Sequence, residues 1–530
     1  MKKISVLLVF CFIIMPFSAC QSSQDILYSQ AVSQGKAQMA AAPSVDPNDP
    51  DYLGDPTAPP GAVFTPAPED DLSGELTIKL YLWYPVGFSV NLLANEFMKL
   101  HPNVTITFDY GLNVMERSGM SKEERAVDRD QFYTALRMEL ASGEADYLLF
   151  GVSDDLDLDA MTRNNIFYDM SSYWENDYEI RETDYFMPVL ETCKIDGKMT
   201  VIPYGFSFPA VTFPQRVVDE IGIDLTETEA VSVTQLLDWY DLARQKKPEL
   251  NLFFTSPGKD VLFSTERVDY MDLDNHTCDF VNSDFVNFLK RTDGVMNEDP
   301  ALEGLEIGAQ DPGLARYWEE YFDTGKLPYE IWESTDAGFP KNENVVKKAN
   351  EWFVTGSTET ASTFYTLQDP LPYLTRPYPL VSSKGKLGIT VSDAFSVPSS
   401  LKNKDLAWEF IKYCLSNRAD PSFYELTGFR WVYVDSIPVN RNNCQKMAEY
   451  VATGNAYGGS LLGYPGNYKG IDPDMLMAEL DKILSYNPVY ADAYNVDVQE
   501  YLDEFYVNDL ITPEQCAEKI QGRATIWLNE

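Results

Sequence analysis

The sequence predicts an α/β fold in more than one domain, and two observations carry that expectation. One is a strand–helix–strand succession with short joints over 75–111; the other is length, since about 460 residues follow a polar N-terminal stretch, too many for one typical core. In ELTIKLYLWY, Leu76, Ile78, Leu80 and Leu82 alternate with Thr77, Lys79 and Tyr81, the two-residue period of a strand. Val90, Leu93, Ala94, Phe97 and Leu100 then share one helical face, with Ser89 placed to cap it. Val104, Ile106, Phe108 and Tyr110 return to alternation. Such a βαβ unit packs its helix on a parallel sheet through a right-handed crossover.

The next segment, QFYTALRMELASGEADYLLFGVSDD, predicts a helix from about Gln131 to Ala141 and a strand over Tyr147–Gly151. In KDLAWEFIKYCLS, Ala407, Phe410, Ile411 and Cys414 fall on one helical face. The last helix opens with Thr512 as cap, Pro513 at the first turn and Gln515 three residues after the cap. Ala517, Ile520, Ala524, Trp527 and Leu528 form its buried stripe, and Trp318 and Trp408 are likewise assigned to packing. Ligand sites in open α/β sheets lie beyond the carboxyl ends of the strands. That rule puts Trp83 and Tyr84, and after the third strand Asp154, at the edge of a cleft.

Composition narrows the function. A net charge of −41 with pI near 4.3 argues against nucleic acid as a partner. Only two histidines are present, His101 and His276, too few for a Ser-His-Asp hydrolase or a histidine-ligated zinc. Cys193, Cys278, Cys414, Cys444 and Cys516 are scattered and odd in number, giving neither a disulfide framework nor a C-x-x-C metal pair. They read as small buried apolar side chains. DLDLDA at 155–160 has a calcium-loop rhythm but lacks the glycine and the terminal glutamate. Phosphate-loop, dinucleotide and nucleophile-elbow motifs are absent. No metal, no cofactor and no enzymatic activity are expected, and no pair of catalytic carboxylates is marked.

The N-terminus has its own logic. Lys2 and Lys3 precede a short apolar run and small residues before Cys20, the pattern of an export signal over 1–20. Ser18-Ala19-Cys20 resembles a bacterial lipobox, with Phe17 where that pattern prefers leucine. It implies lipidation (palmitate) of Cys20 and a membrane anchor, with plain secretion as the alternative. Residues 21–72 are rich in Pro, Ser, Ala and Asp without apolar period. They read as a disordered tether reaching roughly 40 Å.

ANEFMKLHPNVTITF, TALRMELASGEADYLLF, DGKMTVIPYGFSFPAVTF, GITVSDAFSVPSSLKNKDLAWEFIKYCLS and ITPEQCAEKIQGRATIWLNE, in that order, are similar to segments of the extracellular solute-binding proteins, family 1, of bacterial ABC importers. Thr212-Phe213-Pro214-Gln215 replaces that family's usual Tyr-Asn-Lys, and 112–130 and 255–310 look like insertions. The resemblance implies a periplasmic-binding-protein-like fold: two lobes, each a mostly parallel sheet flanked by helices. The N-terminal lobe would be 73–205 plus 393–437 and the C-terminal lobe 206–392 plus 438–530. Crossings would fall near 203–212, 388–398 and 436–442. It further implies a monomer anchored on the outer face of a Gram-positive cell membrane. There it would capture a carbohydrate, as an oligosaccharide, for ABC permease subunits.

A sugar ring needs flat aromatic platforms and hydroxyl-binding carboxylates. The platform candidates are Trp83, Tyr84, Tyr204, Phe206, Trp332, Phe364, Tyr365, Phe395 and Trp431, and the hydroxyl-binding candidates are Asp154 and Asp393. Alternatives remain open at this stage: a receptor for a cationic peptide or polyamine, a surface glycan-active enzyme, or a sensory or adhesive lipoprotein.

Overall fold

The computed structural model describes residues 72–83, 90–113, 120–151, 156–213, 215–248, 251–253, 258–293, 352–359, 375–391, 394–417, 436–452 and 472–529. They belong to one unit, Ala67–Pro421 with Arg430–Glu530; the other unit, Met1–Pro66 with Ser422–Phe429, lies outside the described residues. The fold is α/β in two lobes, one for each of two five-stranded sheets.

The first sheet begins with the βαβ unit. Strand Gly74–Trp83 runs parallel to Val104–Asn113, with Leu76 opposite Ile106 and Ile78 opposite Phe108. The intervening helix Val90–Leu100 buries Val90, Leu93, Ala94 and Phe97. Leu100, expected on that face, is exposed, because it closes the helix where the chain turns away at His101. On this edge strand Val104, Ile106 and Leu112 are buried, while Tyr110, expected on the same face, is exposed. Leu148–Phe150 joins the first strand in parallel; Ala394–Ser396 and Ile202–Pro203 complete the sheet antiparallel.

One helix is longer than its apolar pattern. The sequence predicts a start near Gln131, whereas the helix spans Lys122–Ser142. Ser121 caps it reciprocally with Glu124, and Gly143 ends it at φ 71°. Its charged surface grips the sheet through Lys79, whose Nζ donates to Asp109 Oδ2 at 2.9 Å and to Glu139 Oε2 at 2.8 Å. Burial works against that charge, but the bonds to Glu139 and Asp109 outweigh it and hold the ammonium above the usual lysine range.

The second sheet orders Val231–Ser232, Tyr378–Val381, Phe208–Thr212, Trp352–Glu359 and Asn251–Phe253 side by side. Its outer pairings are parallel and its inner ones antiparallel. A core of Phe213, Leu236, Leu262, Phe280, Phe285 and Ile520 lies against it. The terminal helix Pro513–Trp527 has the Thr512–Gln515 capping box and buries Ala517, Ile520, Ala524 and Trp527.

Two segments run between the sheets, each paired with a further short strand. Gly205–Phe206 lies between Ile202–Pro203 of the first sheet and Phe208–Thr212 of the second, and pairs antiparallel with Ile437–Pro438. Leu387–Ile389 pairs parallel with Pro488–Tyr490. Ser207 and Thr390 exchange backbone bonds of 2.9 and 3.0 Å, fastening the two segments together.

A buried carboxylate pair pins the turn that enters the second segment. Glu266 Oε2 accepts from Ser383 N and Oγ, both at 2.9 Å, and Asp269 accepts from Ser382 Oγ at 2.8 Å and Lys384 N at 2.7 Å. Burial pushes the Glu266 carboxyl up; the Ser383 bonds pull it back, and the Asp269 charge raises it again, for a net rise. The native state therefore holds this proton at higher pH than the unfolded chain does. Glu266 thus favours folding below its usual range near 4.5, and that contribution is lost as pH rises through the raised value. Glu266→Gln keeps an acceptor for Ser383 and removes the titration. Urea unfolding from pH 4 to 8 should show the variant gaining on wild type by at most about 1.4 kcal/mol per pH unit. A constant difference across that range would refute the assignment.

Candidate functional site

A cavity of about 740 Å³ lies where the lobes and the crossing segments meet. The first lobe contributes Arg137 and the 156–159 segment, which follows strand Leu148–Phe150 at its carboxyl end. Asp157 Oδ1 accepts from Ala160 N at 2.9 Å and so caps the helix Leu158–Arg163. This turns the chain at the cavity edge and places Asp159, buried and paired with Arg163 at 2.6 Å, in the wall. Such an end of a parallel strand is where α/β sheets bind ligands.

The second lobe supplies the far wall. Helix Gly258–Arg267 presents Ser264, Thr265 and Arg267, while the terminal helix adds Arg523 and Trp527. Pro209, Gly388 and Thr390 bring the crossing strands into the lining. Arg267 holds the neighbouring 491–495 segment: Nη1 donates to Asn495 Oδ1 at 2.9 Å and Nη2 to Ala491 O at 3.2 Å. Asp492 Oδ2 in turn accepts from Val391 N at 3.0 Å, so this segment is tied to a helix of the second lobe and to a crossing segment at once.

The lining mixes donors and acceptors. Arg137, Arg267 and Arg523 face Asp157, Asp159, Asp492 and Asp497, with Asn495 and Gln499 among them and Trp527 and Phe263 as apolar surface. Near-balanced charge with many neutral hydrogen-bonding groups suits a polar, uncharged ligand better than an ion. A second cavity of about 540 Å³ shares Asp159 and Ala493 with the first and is strongly acidic, with Asp196, Asp269, Asp272, Asp274 and Asp279 in its lining beside Lys194 and Lys386. Burial, and then the charges of Asp274, Asp272 and Asp269, push the Tyr494 hydroxyl there up to about 12.

The ring candidates named from sequence divide sharply. Tyr204, Phe206 and Phe395 are buried. Phe395 lies 4.8 Å from Phe150 and 5.9 Å from Tyr204 between ring centroids, and Phe206 lies 5.8 Å from Phe186. These contacts are tilted or edge-on, and each ring packs against neighbouring aromatics inside the protein. Trp83 closes the first strand opposite Asn113, where the backbone alone is described. Tyr84, Asp154, Trp332, Phe364, Tyr365, Asp393 and Trp431, with Cys20, lie outside the described residues.

Arg267, Thr265 and Asn495 escape a sequence reading because nothing local distinguishes them from surface residues. Asp157 and Asp159 did stand out in DLDLDA, but as a calcium rhythm; their place here is as a helix cap and a wall. Trp527, which its sequence pattern assigns to helix packing, is buried and also reaches the cavity. The five cysteines are thiols, four of them buried.

No protein-family model and no curated protein matches the chain. Solved structures do. An ABC substrate-binding protein from Listeria monocytogenes in complex with cycloalternan is 14% identical, covers 86% of this chain and 99% of its own, and superimposes with a TM-score of 0.50. A family 1 extracellular solute-binding protein from Alicyclobacillus acidocaldarius is 16% identical over 86% of this chain and 99% of its own, with a TM-score of 0.49. A de novo designed cysteine esterase, 16% identical over 86% of this chain and 98% of its own, gives 0.52. The chain is thus similar in fold to extracellular solute-binding proteins, and a designed esterase with the same fold shows why fold alone does not assign activity.

Proposed function

We propose that this chain is the extracytoplasmic receptor of an ABC importer. It captures an oligosaccharide between its lobes, as a monomer and without turnover, and delivers it to permease subunits while a lipid on Cys20 holds it at the outer face of the cell membrane. The observation that carries the reading is the 740 Å³ cavity to which both lobes and the crossing strands contribute. A ligand bonded to both walls favours the closed arrangement of two lobes joined by short segments. Its polar lining provides both donors and acceptors, which a polyhydroxylated ligand requires. The Listeria structure, with its cycloalternan, adds support at the level of fold. Among the described residues no helix is long and apolar enough to cross a membrane.

The test is thermal-shift screening of the mature protein against cycloalternan, maltotetraose and xylotetraose, with spermidine and a basic peptide in parallel. Binding at about micromolar Kd, near −8 kcal/mol, is sufficient for such a receptor. Stabilisation by a glycan that is recovered intact after prolonged incubation is the expected result. Stabilisation by spermidine or the peptide alone would move the ligand class to cations and direct attention to the acidic cavity; glycan cleavage would make the protein an enzyme.

A further inference from the structure

Buried threonines in this protein satisfy their hydroxyls, with one exception among the described residues. Thr162 and Thr200 bond each other at 2.8 Å, Thr292 Oγ1 donates to Phe288 O at 2.8 Å, and Thr375 Oγ1 accepts from Phe213 N at 3.0 Å. Thr265 is 3% exposed and its Oγ1 has no hydrogen-bond partner. A helical threonine ordinarily bonds a carbonyl one turn back. The preceding Ser264 does so, donating to Val261 O at 3.1 Å, and Thr265 does not. Native proteins rarely leave a buried hydroxyl unsatisfied, because its lost hydration is not repaid.

Thr265 lines the 740 Å³ cavity, two residues before Arg267 on the same helix. We propose that Thr265 is a specificity-determining residue whose hydroxyl is held for one neutral hydroxyl of a carbohydrate bound in that cavity. The inference rests on the carbohydrate reading above and deepens it. A hydroxyl is the matching group because both partners can donate and accept, so either orientation of the bond is open. A deoxy analogue would leave Thr265 orphaned beneath the ligand, and a site built around a ligand hydroxyl rejects analogues lacking it far more strongly than an apolar pocket rejects a missing methylene.

Thr265→Val and Thr265→Ser separate this role from a structural one. Valine matches threonine in shape and removes only the hydroxyl. The unfolding temperature of unliganded Thr265→Val should equal or exceed that of wild type. By calorimetry its affinity for whichever of cycloalternan, maltotetraose or xylotetraose binds wild type most tightly should fall at least tenfold, while Thr265→Ser stays within threefold. A clear drop in unfolding temperature with valine would mean the hydroxyl already has a partner in the protein and would overturn the proposal. Unchanged glycan affinity in Thr265→Val would overturn it while leaving the carbohydrate function intact. Wild-type protein that binds none of the three glycans would instead bring down the carbohydrate reading, and this proposal with it.

Discussion

Phe395→Ala should lower the stability of the protein by about 3–5 kcal/mol, the cost of deleting a fully buried phenyl ring and leaving its cavity. The ring has no exposed surface. It fills the space between Phe150, Tyr204 and Phe410, with centroid separations of 4.8, 5.9 and 6.4 Å. Its strand is hydrogen-bonded on both sides, Phe395 standing opposite Phe150 and Ile202, so the backbone cannot easily collapse into the void. Phe395→Leu keeps most of the volume and should cost less than about 1.5 kcal/mol. Urea unfolding of both variants measures this, and calorimetry with a bound glycan tests the other role. A platform residue would show the opposite pattern, with wild-type stability and a large loss of affinity, and that pattern would refute core packing at this position.

The same residue shows where a sequence reading stops. Alternation at Leu76, Ile78 and Leu80 and the face formed by Val90, Leu93, Ala94 and Phe97 are period signals, and each of those side chains is buried. The terminal helix was legible because its capping box lies within four consecutive residues, 512–515. An aromatic at a strand end gives no such signal. By sequence Phe395 and Phe206 suit a ligand platform and a packed core equally; that Phe150 and Phe186 pack against them is visible only in three dimensions. The helix Lys122–Ser142 failed for another reason. Its first turns, KEERAVDRD, carry no apolar stripe because they are mainly solvent-facing, although Ser121 and Glu124 did spell the cap. The cavity is harder still. Arg267 meets Asn495 across more than two hundred residues of chain, a separation at which no local pattern operates.

Asp177→Ala should cost about 2–4 kcal/mol at pH 7, because one carboxylate satisfies three donors. Asp177 Oδ2 accepts from Trp408 Nε1 at 2.8 Å and Lys412 Nζ at 3.0 Å, and Oδ1 accepts from Glu179 N at 2.9 Å. Trp408 and Lys412 are one turn apart on helix Lys404–Asn417, so the carboxylate fastens the loop after helix Ser171–Asn176 to that helix. Alanine would leave the buried indole N–H without its acceptor, a penalty of about 1–3 kcal/mol in itself. Lys412 would keep Glu179 and Glu409, at 2.5 and 3.0 Å, so its charge is not stranded and the loss stays below that of a broken isolated pair. Burial alone would raise the Asp177 carboxyl; the bonds from Trp408, the Glu179 amide and Lys412 prevail and hold it below the usual range. The unfolded chain therefore takes up this proton at higher pH than the native state does. The stabilisation is complete above about pH 4, the ordinary aspartate range, and disappears as pH falls through the lowered native value. Asp177→Asn, which retains an acceptor oxygen but not the charge, should fall between wild type and alanine. Denaturant unfolding at pH 7 and again near pH 3 measures both terms. A difference between wild type and Asp177→Ala that stays the same at the two pH values would show that the carboxylate's charge contributes nothing to this joint.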